Sequence, residues 1–470
     1  MKNISLIYKR FSKYITIYRL IVGIGFIVAM VLMLVPPLHM PETDDWAYYY
    51  GVKNFSQGQF TIDNSTLYLE ALETQQHGSM LVQYLPVSYD KWALEKSPGC
   101  VFYLVPFYKM GIPRWSNVLL ALGMVIVTFI LLKRLRDEKA AMIGSLLMLF
   151  TPISMVMCNR IYMDAYSSLA FLVMGGGLYI HYHLERKKLS SLKGGILLFL
   201  AFFFIGWSVV ARYTNLPIAV ILFLHLVIIR FMDWRKGQNT GIKQEILPLI
   251  LGIGLPMVVL FLYNYFIFGS PLKTGYSISP YPIKYAFQYW GQVDINGESI
   301  PVEIFRYNLE GAVRNLWTGF PLLIIGIPGF FVILFQKFFK RRSSEGKWSS
   351  LHTELPRDIF LVLICWFVSV LIMNLTYEWL TGLREGWGFV LYNRFYLPWL
   401  LPVVIVCALI MARFPYKVLT PVLVIILAFG AMLYVQWVWN LHVLPDWMTS
   451  LDYSHYVYPT WWSKYYYHAP

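Results

Sequence analysis

Two adjacent carboxylates stand in Pro41-Glu42-Thr43-Asp44-Asp45-Trp46, and a lysine follows in Glu95-Lys96-Ser97-Pro98-Gly99. Both runs lie in the polar stretch directly after the first membrane-length apolar segment. Further along, Arg160 and Asp164 stand four apart in Cys158-Asn159-Arg160-Ile161-Tyr162-Met163-Asp164, a spacing that predicts one shared helix face. Arg212 follows in Ala211-Arg212-Tyr213-Thr214-Asn215, Tyr276 in Leu272-Lys273-Thr274-Gly275-Tyr276, and Tyr392 and Arg394 in Leu391-Tyr392-Asn393-Arg394-Phe395-Tyr396-Leu397-Pro398. Such groups have a common chemistry: Arg and Lys bind phosphate, a carboxylate takes a proton from a hydroxyl, and aromatic rings stack on sugars.

The elements that must position these residues are membrane helices. Of 470 residues, 58% are hydrophobic and only 14% charged, with a mean hydropathy of +0.55, whereas soluble domains carry about 25% charged residues. Windows long enough for a hydrocarbon core of about 30 Å occur at 18–36, 115–132, 140–157, 165–182, 194–211, 216–232, 246–268, 319–336, 359–376, 395–412 and 418–438. The sequence therefore predicts one all-α, polytopic transmembrane domain over 1–470 with about eleven spans. A further stretch, 100–112, is short, broken by Pro106 and charged at Lys109, and reads as interfacial or re-entrant.

Charge sets the expected orientation. With the N-terminus in the cytoplasm and eleven spans, 25 of the 39 Lys and Arg fall on the cytoplasmic face, as the positive-inside rule requires. A twelfth span at 100–112 would reverse every later loop and destroy that bias. The expected topology is N-terminus cytoplasmic and C-terminus extracytoplasmic, which puts loop 37–114, loop 269–315 and the aromatic-rich tail 441–470 on the outer face with all the polar runs above.

Several functions are disfavoured. The net charge of +14 is spread over short loops instead of gathered into one domain, so it reflects topology and not nucleic-acid binding. The first apolar segment is of full span length and lacks a small-residue cleavage pattern, so it reads as a retained helix. Cys100, Cys158, Cys365 and Cys407 form no C-x-x-C pair. The histidines, including His181, His183 and His225, make no H-x-x-x-H pattern, and their spacing implies no metal site. Gly175-Gly176-Gly177 reads as a close helix-packing surface.

Taken in order, the acidic pair after the first span, a lysine motif before the second, Arg-x-x-x-Asp at the end of the third, Asn-x-x-x-Phe-Gly-x-Pro after the seventh, and the late Arg-Phe-Tyr-Leu-Pro resemble the GT-C superfamily. In particular the pattern looks like that of the protein O-mannosyltransferases and the aminoarabinose transferases acting on lipid A. The resemblance covers nearly the whole chain and implies an inverting transferase that moves a sugar from a polyprenyl-phosphate donor to a lipid, glycan or protein acceptor outside the cytoplasm.

Carried onto this sequence, the resemblance makes Asp44 or Asp45 the general base, or a ligand to a divalent cation where a member uses one, with Asp164 as second acidic position and second candidate metal ligand. The competing reading is a helix N-cap for either aspartate and a plain ion pair with Arg160 for Asp164. Lys96 matches the lysine of a Glu-Lys-Pro-Pro-like motif, with Ser97 in place of the first proline, and is expected at the donor phosphate together with Arg160, Arg212 and Arg394. Each could instead anchor at the membrane interface. Tyr276 and Tyr392 could line the substrate groove or belong to an aromatic belt.

An oligosaccharyltransferase would be expected to append a large soluble C-terminal domain, and eukaryotic mannosyltransferases a sizeable lumenal one. Neither fits the thirty-residue tail or loop 269–315, so a compact prokaryotic plasma-membrane member is expected. The rival class is a transporter or flippase, which should show internal repeats or midplane charges. Neither is apparent in the sequence.

Overall fold

A computed structural model describes residues 16–36, 43–77, 81, 83–237, 242–279, 283–294, 296–338, 355–378, 380 and 393–439. The tail 441–470 and Tyr392 lie outside the described residues.

After α1 (Ile17–Leu34), the first polar loop folds into α2 (Thr43–Ser56), α3 (Asn64–Gln76), a two-stranded antiparallel hairpin of β1 (Tyr84–Ser88) and β2 (Lys91–Leu94), and α4 (Gly99–Lys109). Asp63 starts α3 by accepting from the Thr66 amide at 2.7 Å, which satisfies one of the donors left free at a helix start. The helices α2 and α4 pack together over an apolar layer that includes Trp46, Tyr48, Val101 and Leu104. Full burial of side chains such as Val101 and Leu104 contributes about 1.5–3 kcal/mol each relative to exposure in water. As expected, 100–112 forms a short helix and not a membrane-length one.

The bundle proper comprises α5 (Trp115–Leu135), α6 (Glu138–Phe150), α7 (Pro152–Asn159), α8 (Asp164–Glu185), α9 (Ser191–Ala211), α10 (Leu216–Arg235), α11 (Ile242–Phe268), α12 (Ile300–Gly319), α13 (Leu323–Phe338), α14 (Arg357–Thr376), α15 (Leu400–Met411) and α16 (Tyr416–Trp439). All eleven apolar windows coincide with helices. Among the described residues, however, eight helical segments are long and apolar enough to cross a membrane, or nine if the bent pair α6 and α7 is one span. The count of eleven is therefore not reached, for three identifiable reasons.

First, window 140–157 bends by 53° at Thr151-Pro152. Pro152 has no N–H for the Met148 carbonyl, and the Ser154 hydroxyl donates to that carbonyl instead, at 3.3 Å. Second, α13 has 16 residues, short for a span. Third, α8 has the length but carries Asp164, Ser167, Ser168, His181, His183 and Glu185. It lies within the bundle with most of its residues buried, so it needs no lipid-compatible surface. Its glycine run does serve packing: a Cβ at Gly175, Gly176 or Gly177 would meet Ile205 of α9, Trp366 of α14 and Val127 of α5, respectively, at 2.7 Å or less. The chain is thus an all-α, multi-pass integral membrane protein with α8 at its centre.

Candidate active site

Helix α2 begins at Thr43, so Asp44 and Asp45 both lie inside its first turn, at the positive end of the helix dipole, and neither is the N-cap. Successive helical residues point about 100° apart, and the two carboxylates accordingly have different partners. Asp45 is fully buried and paired with Arg160, whose Nη2 and Nε both donate to it, the latter at 3.3 Å. Asp44 accepts from Gln83, lies 3.4 Å from Lys96 Nζ, and accepts from Arg394 Nη2 at 2.9 Å.

Two close backbone approaches set the Lys96 segment in place. A Cβ on Gly99 would stand 2.5 Å from the Ala211 amide nitrogen, directly before Arg212, and one on Gly275 would stand 2.3 Å from the Glu95 carbonyl oxygen. The lysine loop is therefore held between the end of α9 and the helical turn Gly275–Ile278. That turn places Tyr276 so that Lys96 Nζ sits 5.5 Å from its ring centroid, a cation–π contact.

The Arg-x-x-x-Asp run is not the helical pair that its spacing predicts. Helix α7 ends at Asn159 and α8 starts at Asp164, and in the turn between them Arg160 goes to Asp45 while Asp164 faces Arg212, with Nε to Oδ2 at 3.8 Å. Arg212 and Arg394 converge on Phe395, with guanidinium carbons 4.9 and 5.0 Å from its ring centroid. Arg394 also reaches Met163, the residue before Asp164, at 3.7 Å from its sulfur.

Five of the expected residues, Asp44, Lys96, Asp164, Arg212 and Arg394, thus surround one place, with Tyr276 at its edge. Arg160 and Asp45 form a separate buried pair beside it.

Buried charges set the ionisation of this place. Burial alone would raise the Asp44 carboxyl, but the charges of Lys96 and Arg394 and the Gln83 hydrogen bond outweigh it and hold the group well below the usual carboxylate range. Reciprocally, burial would lower Lys96, yet the Asp44 charge pushes it above its ordinary value. Two further donors are left over: the Tyr48 hydroxyl and Arg212 Nη1 are buried without a hydrogen-bond partner. An unmet buried donor costs about 1–3 kcal/mol, so these two call for a partner such as a water, an ion or a ligand. Burial pushes the Tyr48 hydroxyl well above its ordinary value, so it stays a donor near neutrality. These buried cations and unmet donors suit a phosphate, and Asp44, already held by Lys96 and Arg394, does not fit a resident metal.

Sequence reading missed Gln83, Tyr48 and Phe395. Tyr48 could have been found, since it stands four residues after Asp44 on the same helix face. Phe395 is adjacent to Arg394 and gave no separate signal, and Gln83 gave none.

In fold this architecture is similar to that of solved membrane proteins of the GT-C type. The chain is similar in fold to ArnT from Cupriavidus metallidurans bound to undecaprenyl phosphate, at TM-score 0.50 and 12% identity, over 85% of this chain and 60% of that one. It is likewise similar to the archaeal oligosaccharyltransferase AglB from Archaeoglobus fulgidus in complex with an inhibitory peptide and a dolichol-phosphate, at TM-score 0.50 and 13% identity, over 91% and 55%. The AglB structure tethered to an acceptor peptide containing the NVT sequon gives TM-score 0.51 and 13% identity, over 89% and 54%. The chain therefore spans little more than half the length of these proteins, and at such identities the likeness is one of fold. No family model and no curated protein matches the sequence.

Proposed function

We propose that this protein is an inverting glycosyltransferase that moves a sugar from a polyprenyl-phosphate donor to a hydroxyl of a lipid, glycan or protein acceptor on the extracytoplasmic face. The observation that carries the reading is the group of buried donors around Asp44, namely Lys96, Arg212, Arg394 and the Tyr48 hydroxyl, of which the Tyr48 hydroxyl and Arg212 Nη1 have no hydrogen-bond partner. Fold likeness to proteins with bound undecaprenyl or dolichol phosphate supports the choice of anion.

In this reading the donor phosphate enters between Lys96 and Arg394 and takes over the charges that now hold Asp44. Asp44 is then released from its two cations, its affinity for a proton rises, and it becomes a serviceable base. The acceptor oxygen attacks the anomeric carbon from the face opposite the phosphate, its proton passes to Asp44, and the anomeric C–O bond breaks. The electron pair leaves on the lipid phosphate, where Lys96, Arg394 and Arg212 stabilise the growing negative charge. Asp164 orients Arg212. The Asp45–Arg160 pair fixes α2 against the turn before α8. Tyr276 lines the groove.

The test is mass spectrometry of membrane glycolipids and glycoproteins from cells with the wild-type protein, with Asp44→Asn, and without the protein. A sugar linkage present only with the wild type, at equal membrane expression, supports the reading. An unchanged linkage in Asp44→Asn removes the base.

A further inference from the structure

A second polar cluster lies at the other end of the bundle. It is formed by His183 near the end of α8, His225 in α10 and Asp358 in the first turn of α14. Asp164 and His183 lie at opposite ends of α8, roughly 28 Å apart at the helical rise of about 1.5 Å per residue. The cluster therefore has no part in the Asp44 site.

Three observations make it more than an ion pair. The ligand atoms of the three residues all lie within 4.8 Å of one another, with Asp358 Oδ2 at 2.8 Å from His183 Nε2 and 3.6 Å from His225 Nε2. Ligands on a tetrahedral zinc, with bonds of about 2.0–2.1 Å, stand about 3.3 Å apart, between those two distances. Next, His225 is nine-tenths buried, and its Nε2, which faces Asp358, has no hydrogen-bond partner. Finally, the other nitrogen of that ring is already oriented, with Nδ1 2.6 Å from the hydroxyl of the fully buried Tyr179. With a metal on Nε2, the Nδ1–H donates to that oxygen, the outer-shell arrangement that fixes a ligating imidazole.

Charge at this end also permits a cation. Arg186 and Arg230 are each paired with Asp233, and Arg230 also with Glu245, which leaves the Asp358 carboxylate to balance an ion. Arg186 Nη1 presently lies 2.7 Å from His183 Nδ1 and 3.2 Å from its Nε2 and would have to yield that position, and its Nη2 already reaches Asp233 at 3.4 Å. Asp358 is one-third exposed, so the cluster reaches the surface of the protein.

We propose that His183, His225 and Asp358 form a divalent transition-metal site, with zinc the ion it fits best, that ties α8, α10 and α14 together at the end of the bundle remote from Asp44. Two imidazoles and one carboxylate are a familiar zinc set that leaves a fourth position for water. The ion acts as a staple between helices that are far apart in sequence. Its effect appears in stability and metal content.

Purified full-length protein is equilibrated with zinc chloride, desalted and assayed for metal. The wild type is expected to retain about one zinc per chain more than His183→Gln/His225→Gln, and the same difference is expected in an Asp44→Asn background. Equal zinc in wild type and double variant, at any level, overturns the site. Because the double variant risks misfolding, X-ray absorption on zinc-loaded wild type provides a second measurement. Outer-shell scattering from imidazole supports the site, and an all-oxygen shell overturns it.

Discussion

Arg394 Nη2 stands 2.9 Å from Asp44 Oδ2, which joins the first helical turn after α1 to the 3-10 turn that leads into α15. With Lys96 on the carboxylate's other oxygen, the contact holds Asp44 ionised and occupied until a competing anion arrives. Asp44→Asn is therefore expected to cut sugar transfer about 10²–10⁴-fold through kcat while leaving donor binding intact or tighter, because the cations lose their internal partner. Lys96→Ala and Arg394→Ala should instead weaken binding of polyprenyl phosphate and cut transfer as well. Binding by native mass spectrometry alongside turnover separates the two. Equal loss of donor binding in all three variants would reject this division of roles.

Asp45 and Arg160 make the opposite prediction, one about stability. Removing one partner of a buried pair leaves an uncompensated charge, typically at about 3–5 kcal/mol. Asp45→Ala should thus lower the thermal midpoint in detergent markedly, whereas Asp44→Asn should not. If Asp45→Ala melts like wild type and loses only activity, Asp45 belongs to the chemistry.

Much of the fold was legible because lipid imposes strong rules: all eleven apolar windows fall on helical segments, two of them broken, and the glycine run of α8 packs against three neighbours as its small side chains suggest. The site was legible as a set of residue types but not as pairs. Nothing local told that Arg160 would turn to Asp45, 115 positions away, and not to Asp164, because the decisive event is the helix break between Asn159 and Asp164. The His183, His225 and Asp358 cluster was invisible for a related reason. Its members sit on three helices and share no spacing, so a rule that looks for two histidines on one helix finds none.

Gly275 offers a test of how tightly the lysine loop must be held. A methyl group there would stand 2.3–2.7 Å from the Glu95 backbone, which cannot swing aside as a side chain can. Gly275→Ala should displace the segment that carries Lys96, with a cost of about 1–3 kcal/mol and weakened donor binding. Gly254, whose added Cβ would meet nothing within 4 Å, is the matched control. Equal donor affinity in Gly275→Ala and Gly254→Ala would show that the close approach does not position Lys96.

The first loop also contains a carboxyl whose ionisation opposes folding. Glu70 in α3 is buried and accepts from Asn54 Nδ2 at 3.2 Å, and burial pushes its pKa up from 4.5 to about 7. A carboxyl raised in the folded state binds more protons there than in the unfolded chain between those two values, so stability falls as pH rises from 4.5 to 7. Below that window both states are protonated and the penalty disappears; above it the penalty is complete. Glu70→Gln, neutral at every pH, should therefore gain in thermal midpoint over the wild type as pH is raised from 4.5 to 7.5, with the difference flat beyond. A difference that stays constant across the range, or that grows toward acid, would mean that Glu70 is ionised at no cost in the folded protein.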